Sequence, residues 1–306
     1  MRMNYLVAYS LVIVGAAFWG LTGLFVENLY AFGFTPWQVV TVRLTISSLI
    51  LVTLITTFAK HYLKIKLKDL PFFIGIGVIS IALFNWCYFE VMERSSVSVA
   101  VIFVYTSPIF AALIASVWFK EKLTLQKAIA IFITMIGCGL VIEFLPIGGL
   151  SLSVGTIILG FLAGLFCASY SIFGKFVSRR YHPLTITVYA MVCGTLFMFP
   201  TSSIWSQGEA FVHGEVWLNI FAISIISTIA AYILYTIGLT YIESSKATIL
   251  ASIELIVAVL VGVFVLNEIL TGWQLVGIAL VILSLCLTVF SFKNIIALLF
   301  KSRLER

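Results

Sequence analysis

PIFAALIASVWFKEKLT (Pro108–Thr124) and LIVAVLVGVFVLNEILT (Leu255–Thr271) lie 147 residues apart and agree at six of seventeen positions. The matches are Ile109/Ile256, Ala111/Ala258, Leu113/Leu260, Glu121/Glu268, Leu123/Leu270 and Thr124/Thr271. The same offset pairs Ala16/Ala163, Pro36/Pro183, Leu49/Leu196, Ile79/Ile226, Ser80/Ser227, Tyr88/Tyr235 and Ala100/Ala247 without a gap. Apolar composition alone produces chance agreement among Ile, Leu and Ala. It does not align a proline, a tyrosine and a Glu-x-Leu-Thr run at one offset. The chain reads as a duplication.

The two copies are continuous apolar runs, and so is most of the rest. Hydrophobic residues make up 62% of the 306 positions and charged residues 10%, far from the quarter or so charged in a soluble domain. Inside a bilayer every backbone amide must find an internal partner, which leaves helices or a closed barrel. Barrel strands would alternate apolar and polar residues. Here the runs are unbroken and about twenty residues long, the length a helix needs to cross the hydrocarbon. The fold class is therefore an all-α integral membrane protein. Spans are expected at 6–26, 38–58, 70–91, 97–118, 126–145, 152–173, 184–203, 217–239, 247–266 and 273–292. The first is too long for a cleaved leader, and no small-x-small site follows it.

Five spans per half is an odd number, so the halves would enter the membrane from opposite sides. Ten transmembrane helices then form two inverted five-helix repeats, 1–147 and 148–292, followed by a basic tail at 293–306. Inverted repeats commonly surround a transport site near the midplane. Basic loops are retained in the cytoplasm. With the N-terminus inside, 16 of the 18 Lys and Arg residues fall in cytoplasmic segments. Only Arg43, within the second span, and Arg94 do not. Both termini are expected on the cytoplasmic side of the plasma membrane. The net charge of +6 follows from this loop bias and does not imply nucleic acid. The five cysteines all sit in apolar runs without metal-type spacing, and read as small buried hydrophobes.

Several stretches resemble the EamA-type carriers of the drug/metabolite transporter superfamily. They are the Trp19-Gly20 pair, Pro36 followed by Arg43, TSPIFAALIASVWFKEKLT (Thr106–Thr124) and SIELIVAVLVGVFVLNEILTGWQLVG (Ser252–Gly277). The resemblance covers the whole chain. It implies ten spans, inverted halves, cytoplasmic termini, and efflux or exchange of amino acids, other metabolites or drugs. This sequence departs from the family where Leu255 follows the glutamate in place of the usual proline. Only the fourth span, at Pro108, is therefore expected to kink.

Glu254 is an ionisable group within a span, where charge is costly and usually faces a cavity or a partner. It reads either as a proton-coupling or cation-binding carboxylate or as a structural one bonded to a neighbouring helix. Arg43 reads as a structural or gating cation, with Glu27 and Glu90 near enough to form an ion-pair cluster, rather than as a ligand for a substrate carboxylate. Trp19, Asn85, Tyr105, Ser107, Tyr170 and Tyr232 are candidates for a substrate-binding lining, because ring faces with a few hydroxyl or amide groups suit amphipathic solutes. Tyr88 and Tyr235 lie nearer span ends, where aromatic residues also serve as interfacial anchors. Pro108 removes a backbone hydrogen bond and suits either a cavity-shaping kink or a hinge. Glu121 and Glu268 read as organisers of helix ends.

A secondary transporter of a small metabolite, amino acid or drug, working by alternating access, fits these features. No phosphate-binding loop, metal cluster or cofactor motif is present in the sequence. An intramembrane enzyme would need clustered acids, histidines or a nucleophile–base pair. The single Asp (Asp69) and the three His (His61, His182, His213) all fall in loops. A lipid scramblase or channel would need a polar groove or pore that few residues here could build. The expected partners are a small-molecule solute and the lipid bilayer.

Overall fold

The computed structural model describes residues 4–95, 97–144, 152–265 and 269–290. Its long helices are α1 (Tyr5–Ala31), α2 (Pro36–Phe58), α3 (Leu67–Arg94), α4 (Val99–Trp118), α5 (Leu125–Val141), α6 (Val154–Ser178), α7 (Pro183–Thr201), α8 (Gly214–Tyr241), α9 (Ser244–Val265) and α10 (Gly272–Val289). Nine are long and apolar enough to cross a membrane, and α5 is a shorter apolar helix of 17 residues. There is no β-strand among the described residues. The chain is a multi-pass membrane protein. The basic tail and Glu268 lie outside the described residues.

The helix starts follow local chemistry and recur at the 147-residue spacing. Thr35 caps α2 through a bond from Gln38 N–H, with Pro36 opening the helix; His182 caps α7 ahead of Pro183. Thr124 and Thr271 cap α5 and α10 by accepting from Lys127 and Gln274 N–H. A side-chain acceptor at such a position satisfies an amide that no helical carbonyl can reach, and proline costs nothing where the N–H is unused.

Irregular backbone recurs at the same spacing. In α3 a π-helical stretch runs Gly75–Leu83, and in α8 one runs Ile225–Ala230. Helix α4 breaks between Val104 and Ser107, and α9 between Leu250 and Ile253. The break in α9 corrects the expectation that only Pro108 would interrupt a span. Hydroxyls supply what proline does not. Ser252 Oγ donates to the Ile249 carbonyl at 2.6 Å, and Thr106 Oγ donates to the Phe103 carbonyl at 2.6 Å. Each draws off a carbonyl three residues back, and the local amides tighten to the same reach: Ser252 N–H to Ile249 O and Glu254 N–H to Ala251 O.

Packing relies on glycine where backbones meet. An added Cβ on Gly277 would lie 2.7 Å from the Gly137 carbonyl, so α5 and α10 approach at both glycines and share a Thr134–Ser284 hydroxyl bond of 2.8 Å. An added Cβ on Gly77 of α3 would lie 2.6 Å from the Ala190 carbonyl of α7, and one on Gly238 of α8 would lie 2.6 Å from the Ala8 carbonyl of α1. Gly160 and Gly164 of α6 likewise both face Phe103 of α4. Such small-residue contacts replace the hydrophobic driving force that lipid removes.

Candidate functional site

Seven helices enclose a central cavity of about 370 Å³; α5, α7 and α10 contribute nothing to its wall. That volume lies within the range of small-molecule sites, about 300–1,000 Å³. All the interrupted helices contribute. Non-helical backbone at membrane depth is tolerated where it is buried in protein or lines a cavity, and discontinuous helices are frequent at transport sites.

Trp19, Tyr170, Tyr232 and Tyr235 form one aromatic cluster. The Trp19 ring centroid lies 5.0 Å from that of Tyr232 and 4.9 Å from that of Tyr235, and Tyr170 stands 5.1 Å from Tyr232. The Tyr170 hydroxyl bonds Thr236 at 2.9 Å and the Tyr235 hydroxyl bonds Ser171 at 2.7 Å, which fixes both rings. Asn85, Tyr88, Tyr105 and Ser107 complete the polar part of the wall. Asn85 uses one amide hydrogen on the Ile81 carbonyl at 2.7 Å, beside the π-helical stretch of α3. Pro108 is buried and does not line the cavity; it opens the second segment of α4, directly after the lining residue Ser107.

Glu254 and Arg43 both line this cavity, and among its lining residues they alone carry charge in their ordinary states. Glu254 lies ten residues after Ser244 and eleven before Val265, or about 15 Å from either end of α9 at 1.5 Å per residue. Gly20 permits this placement. A Cβ there would sit 2.5 Å from the Glu254 carbonyl oxygen, so the Trp19-Gly20 pair sets an indole in the cavity and brings α9 against α1.

The ion-pair cluster expected around Arg43 is not formed. Glu90 is engaged by Arg94, four residues on along the same helix, at 2.7 Å, because an i,i+4 partner is always within reach. The Arg43 side chain has no ion pair or hydrogen bond among the described residues, and its Nε is a buried donor without an acceptor, as is Trp19 Nε1. No ion pair joins Arg43 and Glu254. The cavity wall also holds Ser80, Thr248 and Ser252, which sequence reasoning missed. Ser80 belonged to the repeat pattern, but small hydroxyls in apolar helices look like packing residues.

The cavity reaches Tyr30 and Pro36 on the face opposite the N-terminus. Its wall ends toward the other face at Thr248, Ser171 and Tyr235. Beyond them a polar clamp holds the connection between α8 and α9. Glu121, expected to organise the end of its own span, instead accepts from Ser244 N–H at 2.8 Å and from the Ser245 hydroxyl at 2.6 Å at the start of α9. Lys127 lies 2.9 Å from Glu243 and 3.7 Å from Glu121. Lys175 donates to the Leu239 carbonyl at 2.7 Å, and also to those of Thr240 and Ile242, at and just past the end of α8. On the same face Asp69 is buried between Arg180, at 2.6 Å, and the Tyr181 hydroxyl, at 2.7 Å.

Comparison with known proteins agrees with this architecture. The model of the EamA-like transporter family matches twice, over residues 6–143 and 154–290. An uncharacterized transporter of Archaeoglobus fulgidus is 27% identical over 280 residues, spanning 89% of this chain and 95% of that one. The uncharacterized transporter YwfM of Bacillus subtilis is 26% identical over 90% of this chain and 92% of its own. The threonine/homoserine exporter RhtA of Salmonella typhimurium is 23% identical over 80% and 78%. A protein of known crystal structure has the same fold, with a TM-score of 0.73 at 14% identity over 98% of this chain and 99% of its own. Two family matches that together span nearly the whole chain, on a helical fold with an enclosed central cavity, place it among transporters rather than enzymes: the chain belongs to the EamA-like transporter family.

Proposed function

We propose that this protein is a secondary transporter of the plasma membrane that exports a small amino acid by alternating access through the central cavity. The observation that carries the reading is one-sided access: the cavity reaches Tyr30 and Pro36 on one face and stops short of the Glu121–Lys127–Lys175 clamp on the other. With the termini cytoplasmic, as the basic loops imply, this is the outward-facing state. One relative, RhtA, is a threonine/homoserine exporter, and the amino-acid class follows from that likeness.

Proteoliposomes loaded with labelled threonine, homoserine or serine test it. Saturable, counterflow-stimulated flux through the purified protein is expected. Conductance without saturation, or movement of labelled phospholipid in place of solute, would replace the carrier with a channel or a scramblase.

A further inference from the structure

We propose that Arg43 and Glu254 are the specificity-determining poles of the cavity, Arg43 receiving the carboxylate and Glu254 the ammonium group of one dipolar solute. This rests on the transporter reading and adds to it the residues that select the cargo.

Arg43 and Glu254 face one cavity from α2 and α9, with opposite charges and no ion pair between them. Neither side chain has a hydrogen-bond or ion-pair partner among the described residues, although other buried and half-buried charges here are well supplied. Asp69 has two partners, Lys175 has three carbonyls, and Glu121 has Ser244, Ser245 and Lys127. Buried charge is normally paired. A pair of opposite charges held apart in one cavity is suited to a ligand that brings both complements. A simple anion would leave Glu254 without a counter-charge, a simple cation would leave Arg43 without one, and a neutral solute would leave both.

The surroundings favour the same orientation. Trp19 Nε1 and Arg43 Nε are buried donors without acceptors, so the unmet demand on the wall is for acceptor atoms, as a carboxylate supplies. A planar guanidinium with five donors matches a carboxylate in two-point geometry. An ionised Glu254, by contrast, offers nothing but acceptors, and an ammonium group is all donor. The rings of Trp19 and Tyr232, 5.0 Å apart, supply apolar wall for the remainder of the solute.

The test is a crossed set of ligands and variants on the purified full chain. Thermal stabilisation is titrated with L-threonine, L-serine, L-leucine and L-phenylalanine, and with the N-acetyl and methyl-ester derivative of each. The native protein is expected to bind one or more of the free amino acids at least tenfold more tightly than either derivative. Glu254→Gln is expected to erase the penalty against the N-acetyl compound while keeping that against the ester. Arg43→Gln is expected to do the reverse. Glu254→Asp and Arg43→Lys, which keep the charges, are expected to retain both penalties and serve where a neutral variant does not fold. A purely structural role would weaken every ligand in parallel, and that result overturns the proposal. So does indifference to the loss of either charge, or binding by none of the free amino acids. Saturable flux of a singly charged or neutral solute would reject the two poles and leave the transporter reading standing, whereas unsaturable conductance would reject that reading itself.

Discussion

Single side chains decide whether the clamp holds. Glu121 is 7% exposed and caps the start of α9 with two hydrogen bonds of 2.8 Å or less, one from an amide and one from a hydroxyl. Carboxylates favour helix N-termini, where amides point outward and the backbone dipole is positive. Glu121→Ala leaves two buried donors unmet and is expected to destabilise the protein by about 1–3 kcal/mol, read as a lower Tm in detergent. Lys127 keeps Glu243 in that variant, which bounds the loss. His182 offers a pH-dependent counterpart outside the membrane. Its Nδ1 caps α7 by accepting from Leu184 N–H, and partial burial, reinforced by His61 nearby, lowers its pKa. The folded state thus disfavours the charged ring. Its stabilising contribution is present above the ordinary histidine pKa of about 6.5 and fades as pH falls through the lowered value. Between about pH 7.5 and 5.5, Tm is expected to fall further in the native protein than in His182→Asn, which keeps an acceptor but does not titrate. Equal falls would remove His182 from the pH response.

Helices in this chain are made irregular by hydroxyls and are packed by glycines. Serine or threonine takes a carbonyl three residues back at the break in α4 and in α9, and does the same five residues back in the π-helical stretches: Ser80 bonds Gly75 O and Thr228 bonds Ile223 O. The family resemblance led to proline as the cause of kinks, and proline is visible in a sequence. Serine is too common in membrane helices to stand out, so the break in α9 was not legible. Glycine contacts carry their own prediction. Gly277→Val places a side chain where the Gly137 carbonyl and the Val141 amide already stand 2.7 Å from a virtual Cβ. The two helices must separate, at a cost of about 1–3 kcal/mol typical of overpacked interfaces. Because α5 and α10 do not line the cavity, Tm is expected to drop while ligand affinity changes little.

At the level of the whole molecule, the cavity extends as far as Tyr30 and Pro36 toward one face, and a polar clamp lies beyond its wall toward the other. The barrier between cavity and clamp is thin: Thr248 lines the cavity and Ser244, one turn earlier, is held by Glu121. Four residues of helix span about 6 Å. Removing ties from one side should shift the population toward the opposite opening, by as much as the lost contacts differ between the two states. Cys167 lines the cavity and reports on this. In a Cys286→Ser background, the rate at which an impermeant thiol reagent reaches Cys167 from the Tyr30 face is expected to fall when Glu121→Gln and Lys175→Ala are combined. An unchanged rate would mean that the clamp stabilises the fold without biasing access.

Every binding candidate that stood out as aromatic, amide or ionisable in an apolar run, from Trp19 and Asn85 to Tyr232 and Glu254, borders the cavity. They were visible because polar atoms in hydrocarbon are costly enough to need a reason. Hydropathy likewise determined the membrane environment and the apolar helices, and the 147-residue offset pointed to the doubling, since each depends on residues adjacent in the chain or on a fixed register. Tertiary structure alone decided that Glu121 caps the start of α9, that Arg43 and Glu254 line one cavity, and which helices form its wall. Those outcomes turn on which groups distant in the chain arrive within a few ångströms of one another, and hydrogen bonds and ion pairs act over no longer a range.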